Sequence, residues 1–350
     1  MRFPRLARCA AAALALLMLA TAGSASAAQA AVPAEYSVTD LSTWPGFEST
    51  VAAGINESGQ IVGTLRQQTL SYFYEAFVWD PLTGLRSLGR VNGRPTSGAA
   101  INDNGEVAGT AGGTFEDPGF GFIWFPAGFT RPLPAPPDLR GGSGRAINNA
   151  RQVAGAIGPY NPYAVRWTPD GNAERLGSFG PSPDGASQGI NARGQVVGWA
   201  RGPGYTVQPF IWDAERGLRE LATVDSDKSG QAKAINDLGH AAGWVGPFGS
   251  QAALWRDDQV TVIGPGTAEA LNNLDQVVGS FYVNRALHAF RYRDGVQIDL
   301  NSVIPAGTGI VLTEARGISD SGLIVANGTD AAGRQRAFLL RPVGVASQTR

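Results

Sequence analysis

The chain predicts an all-β fold, a seven-bladed β-propeller with four antiparallel strands per blade, on three observations. First, one nine-residue phrase recurs seven times: an aliphatic residue, Asn, two variable residues, usually Gly, a variable residue, an aliphatic pair and Gly. Its Asn-equivalent positions, 56, 102, 148, 191, 236, 272 and 319, stand 36 to 47 residues apart. A period in the forties without helical patterning means stacked supersecondary units. Second, 47 Gly and 22 Pro with only 16% charged residues is a composition of many short strands and turns. Third, the chain opens with a strand that lacks a unit and closes with a unit that lacks a strand.

Taken in order, the first thirty residues read as a leader. Arg2, Arg5 and Arg8 precede an apolar run from Cys9 to Ala20, followed by small residues and an Ala25-Ser26-Ala27 cleavage pattern. The run is too short for a bilayer-spanning helix, which needs roughly 20 residues. The expectation is a removed signal peptide over 1–30, a single propeller domain over 31–342, a tail over 343–350, and a product in the periplasm or outside the cell, with no membrane insertion. Cys9, the only cysteine, lies in the leader, so the remaining chain has no disulfide and no thiolate metal site.

Tyr36 to Leu41 is the orphan strand. One complete unit follows clearly over 98–133. Gly98 to Ile101 is a first strand, Asn102-Asp103-Asn104-Gly105 a turn in which Asn caps the backbone and Gly supplies positive φ, and Glu106 to Gly109 the returning strand. Gly121 to Trp124 is an aromatic and β-branched third strand, and Thr130 to Leu133 a fourth. The third strand recurs as Ala76 to Trp79, Ala164 to Trp167, Pro209 to Trp212, Ala252 to Trp255, Ala289 to Tyr292 and Ala337 to Leu340. Each unit has two apolar faces that only neighbouring units can cover, and the repeated Trp reads as a wedge between them. The seventh copy has no fourth strand after Leu340. Pairing Tyr36 to Leu41 onto it closes the ring and removes exposed sheet edges.

These motifs resemble the bacterial extracellular HAF-repeat proteins, named for a His-Ala-Phe triplet, which this chain spells in full at His288-Ala289-Phe290. The resemblance runs from about Val51 to Leu340. It implies a propeller-like fold and export, and it carries no assigned chemistry. Arg151 and Asp275, which replace the turn Gly, and the weak final copy depart from the pattern.

Net charge is −1, and only two of the 28 basic residues are Lys, which is no polyanion-binding signature; nucleic acid is excluded as an expected partner. His240 and His288 lie in different units without neighbouring ligands, so no metal or other cofactor is expected, and the Asn/Asp turns read as capping, not calcium loops. No Gly-x-Ser-x-Gly elbow occurs, so no catalytic residue is assigned.

Tight turns join strands one to two and three to four, whereas the other connections are long and variable. These two sets project from opposite faces of the disc, which puts variation, and with it binding, on one face. Two residue sets mark that face. The aromatics Tyr160, Tyr163 and Tyr205 stand in the connections, suited to stacking on sugars or anchoring a protein. The second set lies two residues before each aliphatic anchor: Ala53, Ala99, Arg145, Gln188, Lys233, Glu269 and Arg316. Its long polar members would form a patch at the channel mouth suited to an anionic or polyhydroxylated ligand. The functional expectation is a monomeric exported binding module for a glycan, a small molecule or a protein. Two alternatives stand beside it: a polysaccharide hydrolase or lyase using carboxylates such as Asp117, Asp184, Asp225, Asp227, Glu269 or Glu314, and a purely structural envelope protein.

Overall fold

The computed structural model describes residues 34–67, 73–113, 118–158, 160–224 and 229–344. The leader expected over 1–30 and most of the tail expected over 343–350 lie outside them, as do the carboxylates Asp117, Asp225 and Asp227. No helix among the described residues is long and apolar enough to cross a membrane.

Seven four-stranded antiparallel sheets form the ring of a seven-bladed propeller. The innermost strands are Ser49–Ile55, Thr96–Ile101, Ser143–Ile147, Gly185–Ile190, Gly230–Ile235, Thr267–Leu271 and Val311–Ile318, in blades one to seven. Six blades are continuous in sequence. The seventh takes its outermost strand, Tyr36–Asp40, from the start of the chain, paired antiparallel to Gln335–Pro342 with Tyr36 opposite Pro342 and Asp40 opposite Phe338. The ring therefore closes as the two chain ends predict.

The core follows from the two-faced blades. There are seven hydrophobic clusters among the described residues, and each spans one junction between neighbouring blades. Between blades two and three, for example, Ala108 and Ile123 meet Ile147, Val153, Val165 and Trp167. Trp167 and Trp255 are the expected wedges; their indole N–H groups donate to the carbonyls of Pro134 and Ala222, at 2.8 and 2.7 Å, and so pin the chain arriving from the preceding blade. The turns that depart from Gly are intact. Arg151 and Asp275 adopt the same left-handed conformation, φ 61° and 56°, each held by side-chain bonds. Arg151 Nε reaches Glu106 at 2.7 Å, while Asp275 accepts from Arg256 Nε at 2.7 Å and meets His240 Nδ1 at 2.9 Å. Burial raises the Asp275 pKa, but these partners more than offset it and hold the carboxyl below its usual range.

Candidate binding site in the central channel

The seven positions two residues before the aliphatic anchor share one backbone feature. Each is the extra residue of a β-bulge: in blade three Gly144 opposes Gly155 and Ala146 opposes Ala154, so Arg145 has no partner. The same skip occurs at Ala53, Ala99, Gln188, Lys233, Glu269 and Arg316. A bulge bends the strand and re-aims one side chain. Here all seven bulge residues line one cavity in the channel.

The Gly that ends the repeated phrase makes room for the bulge. A Cβ on Gly155 would stand 2.0 Å from the Ser143 carbonyl oxygen, and one on Gly243 1.9 Å from that of Gln231. Both distances are far inside van der Waals contact. In blade seven Ala326 occupies this position; a second irregularity lies between Leu312 and Glu314, and Gly328 takes the close approach instead.

The cavity measures about 470 Å³ and extends from the bulge ring to Val51, Arg66 and Gln231, at the ends of strands that lead into the long connections. Its chemistry is uneven around the ring. Blades five to seven neutralise one another: Lys233 Nζ lies 2.5 Å from Glu269, and Arg316 Nη1 bonds both Glu269 and Glu314 at 3.0 Å. At their bulges blades one and two place Ala53 and Ala99, which leave space. Blade three contributes Arg145, which donates from Nε to Ser143 Oγ at 3.3 Å. Loss of water around that guanidinium lowers its pKa. Gln188, from blade four, makes no side-chain hydrogen bond among the described residues.

The three tyrosines are not part of this cavity. Tyr160 and Tyr205 are 68% and 76% exposed on the long connections. Tyr163 belongs to the third strand of blade three, Tyr163–Trp167, with Arg175 4.8 Å above its ring. It packs against the core between blades two and three, so strand packing accounts for it. Among the carboxylates, Asp184 sits beside Arg201 at 3.8 Å. Glu269 and Glu314 lie close together because both accept from the same Arg316 nitrogen, which therefore fills the space between them.

The opposite mouth has a different construction, largely hidden from sequence reasoning. Each phrase Asn accepts backbone N–H bonds from its own turn, as Asn148 Oδ1 does from Ala150 and Gln152 at 3.1 and 2.9 Å. Its Nδ2 then donates to the carbonyl of the equivalent Asn in the next blade: Asn56 to Asn102 at 2.9 Å, Asn102 to Asn148 at 3.0 Å, and so on to Ser319. A second ladder runs beside it, in which the next residue's N–H meets a side-chain oxygen one blade on, as from Glu57 to Asp103 and from Asp103 to Asn149. Ser319 cannot continue the first ladder, and Ala192 cannot receive the second. The gaps fall at different junctions, seven-to-one and three-to-four. Asp320 N–H bonds Glu57 at 2.9 Å across the first gap, and Asn148 bonds Asn191 at 3.0 Å across the other. The clue in the sequence was the residue type: Asn in six copies and Asp in none, since only an amide both caps its turn and donates onward.

No protein-family model matches the chain, and no curated protein matches it in sequence. Solved structures similar to it are propellers. A streptogramin B lyase is 12% identical, over 88% of this chain and 98% of its own, with a TM-score of 0.60. Virginiamycin B lyase from Staphylococcus aureus is 10% identical, over 88% and 100%, with a TM-score of 0.57. YCF48 bound to D1 peptide is 14% identical, over 90% and 98%, with a TM-score of 0.52. Such identities show the fold alone, and two lyases beside a peptide complex illustrate how little the fold dictates chemistry.

Proposed function

We propose that the chain is an exported binding module that captures its ligand in the central cavity on the side of the long connections. The observation that carries this reading is the bulge ring: seven equivalent positions turned into one space, with a different residue set in blades three to seven. A cavity of about 470 Å³ has the size of a small-molecule site rather than a protein-docking face. The leader and the resemblance to HAF-repeat proteins support export. A polysaccharide hydrolase or lyase built on Glu269 and Glu314 would need substrate where Arg316 lies.

A glycan and metabolite screen on the purified protein, repeated with Gln188→Ala and Lys233→Ala, tests the reading. Ligands whose capture weakens in the channel variants support it. Capture untouched by those variants but lost in Tyr160→Ala or Tyr205→Ala moves the site to the loop crown and ends the proposal.

A further inference from the structure

Resting on the channel as the binding site, the geometry points to a ligand class: we infer that the cavity binds a small polyhydroxylated molecule through a carboxylate or phosphate group, seated over Ala53 and Ala99 against Arg145. Two features of the ring carry this. Travelling around it, the order is Arg316, Ala53, Ala99, Arg145, so the two smallest residues form a gap two blades wide flanked by guanidinium groups. Arg66, at the long-connection end of its strand, completes the rim.

The cations are not equivalent. Lys233 and Arg316 are matched by Glu269 and Glu314. Arg145 and Arg66 have no carboxylate partner among the described residues, and the lowered Arg145 pKa reflects a charge held away from water without compensation. A cation in that condition gains most from an incoming anion, and a guanidinium presents two parallel donors that fit carboxylate and phosphate geometry. Gln188 on the far side of Arg145, with Thr64 and Gln231 in the lining, supplies neutral donors and acceptors suited to hydroxyl groups. A neutral sugar would leave Arg145 as it is.

Isothermal titration of the full protein with glucose, glucuronate, glucose 6-phosphate and inorganic phosphate at low and high salt tests the inference, with Arg145→Ala, Arg145→Gln and Tyr205→Ala as variants. The expected result is that glucuronate or the sugar phosphate binds and glucose does not. Both Arg145 variants should weaken binding about tenfold or more, while Tyr205→Ala does not. Glucuronate against glucose 6-phosphate decides which oxyanion is preferred. Anion binding that survives both Arg145 variants overturns the inference, as does failure of every anion to bind at millimolar concentration. Glucose binding that is lost in Gln188→Ala but kept in Arg145→Ala also overturns it, while leaving the channel reading intact. Arg145→Gln, which keeps a polar side chain and leaves a smaller gap than Ala, guards against a packing defect.

Discussion

The two mouths of the channel are built from the same seven inner strands, yet one is repeated and the other is varied. At the tight-turn mouth, each blade hands a hydrogen bond to the next through Asn, and a second ladder doubles most links. At the other mouth, three residues before the phrase Asn, at Arg145 and Gln188 for example, the bulge residue changes with every blade from three to seven. The repeated end keeps the blades in register, and this frees the varied end to differ. A ring whose geometry is fixed by backbone and amides can carry any side chain at its bulges without losing its shape.

That division can be attacked from either side. The largest effect is expected where the two mouths share a constraint. Gly155→Ala places a methyl group 2.0 Å from the Ser143 oxygen, so the bulge must move and take Arg145 with it. A loss of about 3 kcal/mol or more in chemical denaturation, together with weakened ligand capture, is the expected outcome. A silent substitution would uncouple the phrase Gly from the bulge.

Asn148→Ala comes next. It removes the turn cap and, at the three-to-four junction, the one ladder bond present there. About 2 to 3 kcal/mol should be lost, against roughly 1 kcal/mol less for Asn102→Ala, whose junction keeps the Asp103 to Asn149 bond. Asn148→Asp sharpens the point. It preserves the cap but cannot donate to Asn191, so it should cost at least as much as Ala. Equal costs at the two junctions would show that the ladders do not back each other up.

The varied mouth should behave oppositely. Arg145→Ala removes a desolvated and unmatched charge, so the melting temperature should stay level or rise even as binding falls. A marked fall would make Arg145 structural. The smallest effect concerns pH at the repeated mouth. Burial raises the Glu57 pKa above its ordinary 4.5, opposed by the Asp320 N–H and reinforced by the charges of Asp320 and Asp103. An acid with a raised folded pKa contributes stability that is fully present below 4.5 and is lost as pH rises through the raised folded pKa. Glu57→Gln, which keeps an acceptor for Asp320, should therefore raise the melting temperature slightly at pH 7 and not at pH 4.

Much of this molecule was legible in its residues, for definable reasons. The period of the phrase gave the blade count, because each Ile-Asn turn is one inner hairpin. Tyr36 to Leu41 and the truncated seventh copy gave the closure, because an unpaired strand and a missing strand at the two ends solve each other. Even the channel set was found by position alone, since bulges at equivalent places present equivalent side chains. The bulge itself was not legible: nothing in Gly144-Arg145-Ala146 marks an extra residue, and the Gly155 that permits it lies on another strand. Pairing between blades was equally hidden. Lys233, Glu269 and Arg316 stand 36 and 47 residues apart along the chain, and only the fold shows which of them touch. Tyr163 reads as a connection residue in the sequence because its strand begins one residue earlier than the Ala164 start that the repeat predicts.

The closing strand has a consequence in time. Ser37 and Arg341 touch although 304 residues separate them along the chain. The strand made before every other strand of the propeller is thus the last to find its place, and until Gln335–Pro342 has been made the seventh blade offers a bare flank. Contacts this distant in sequence are slow to form. A chain cut short near Phe338 would hold six whole blades and still lack the seam that makes it a circle.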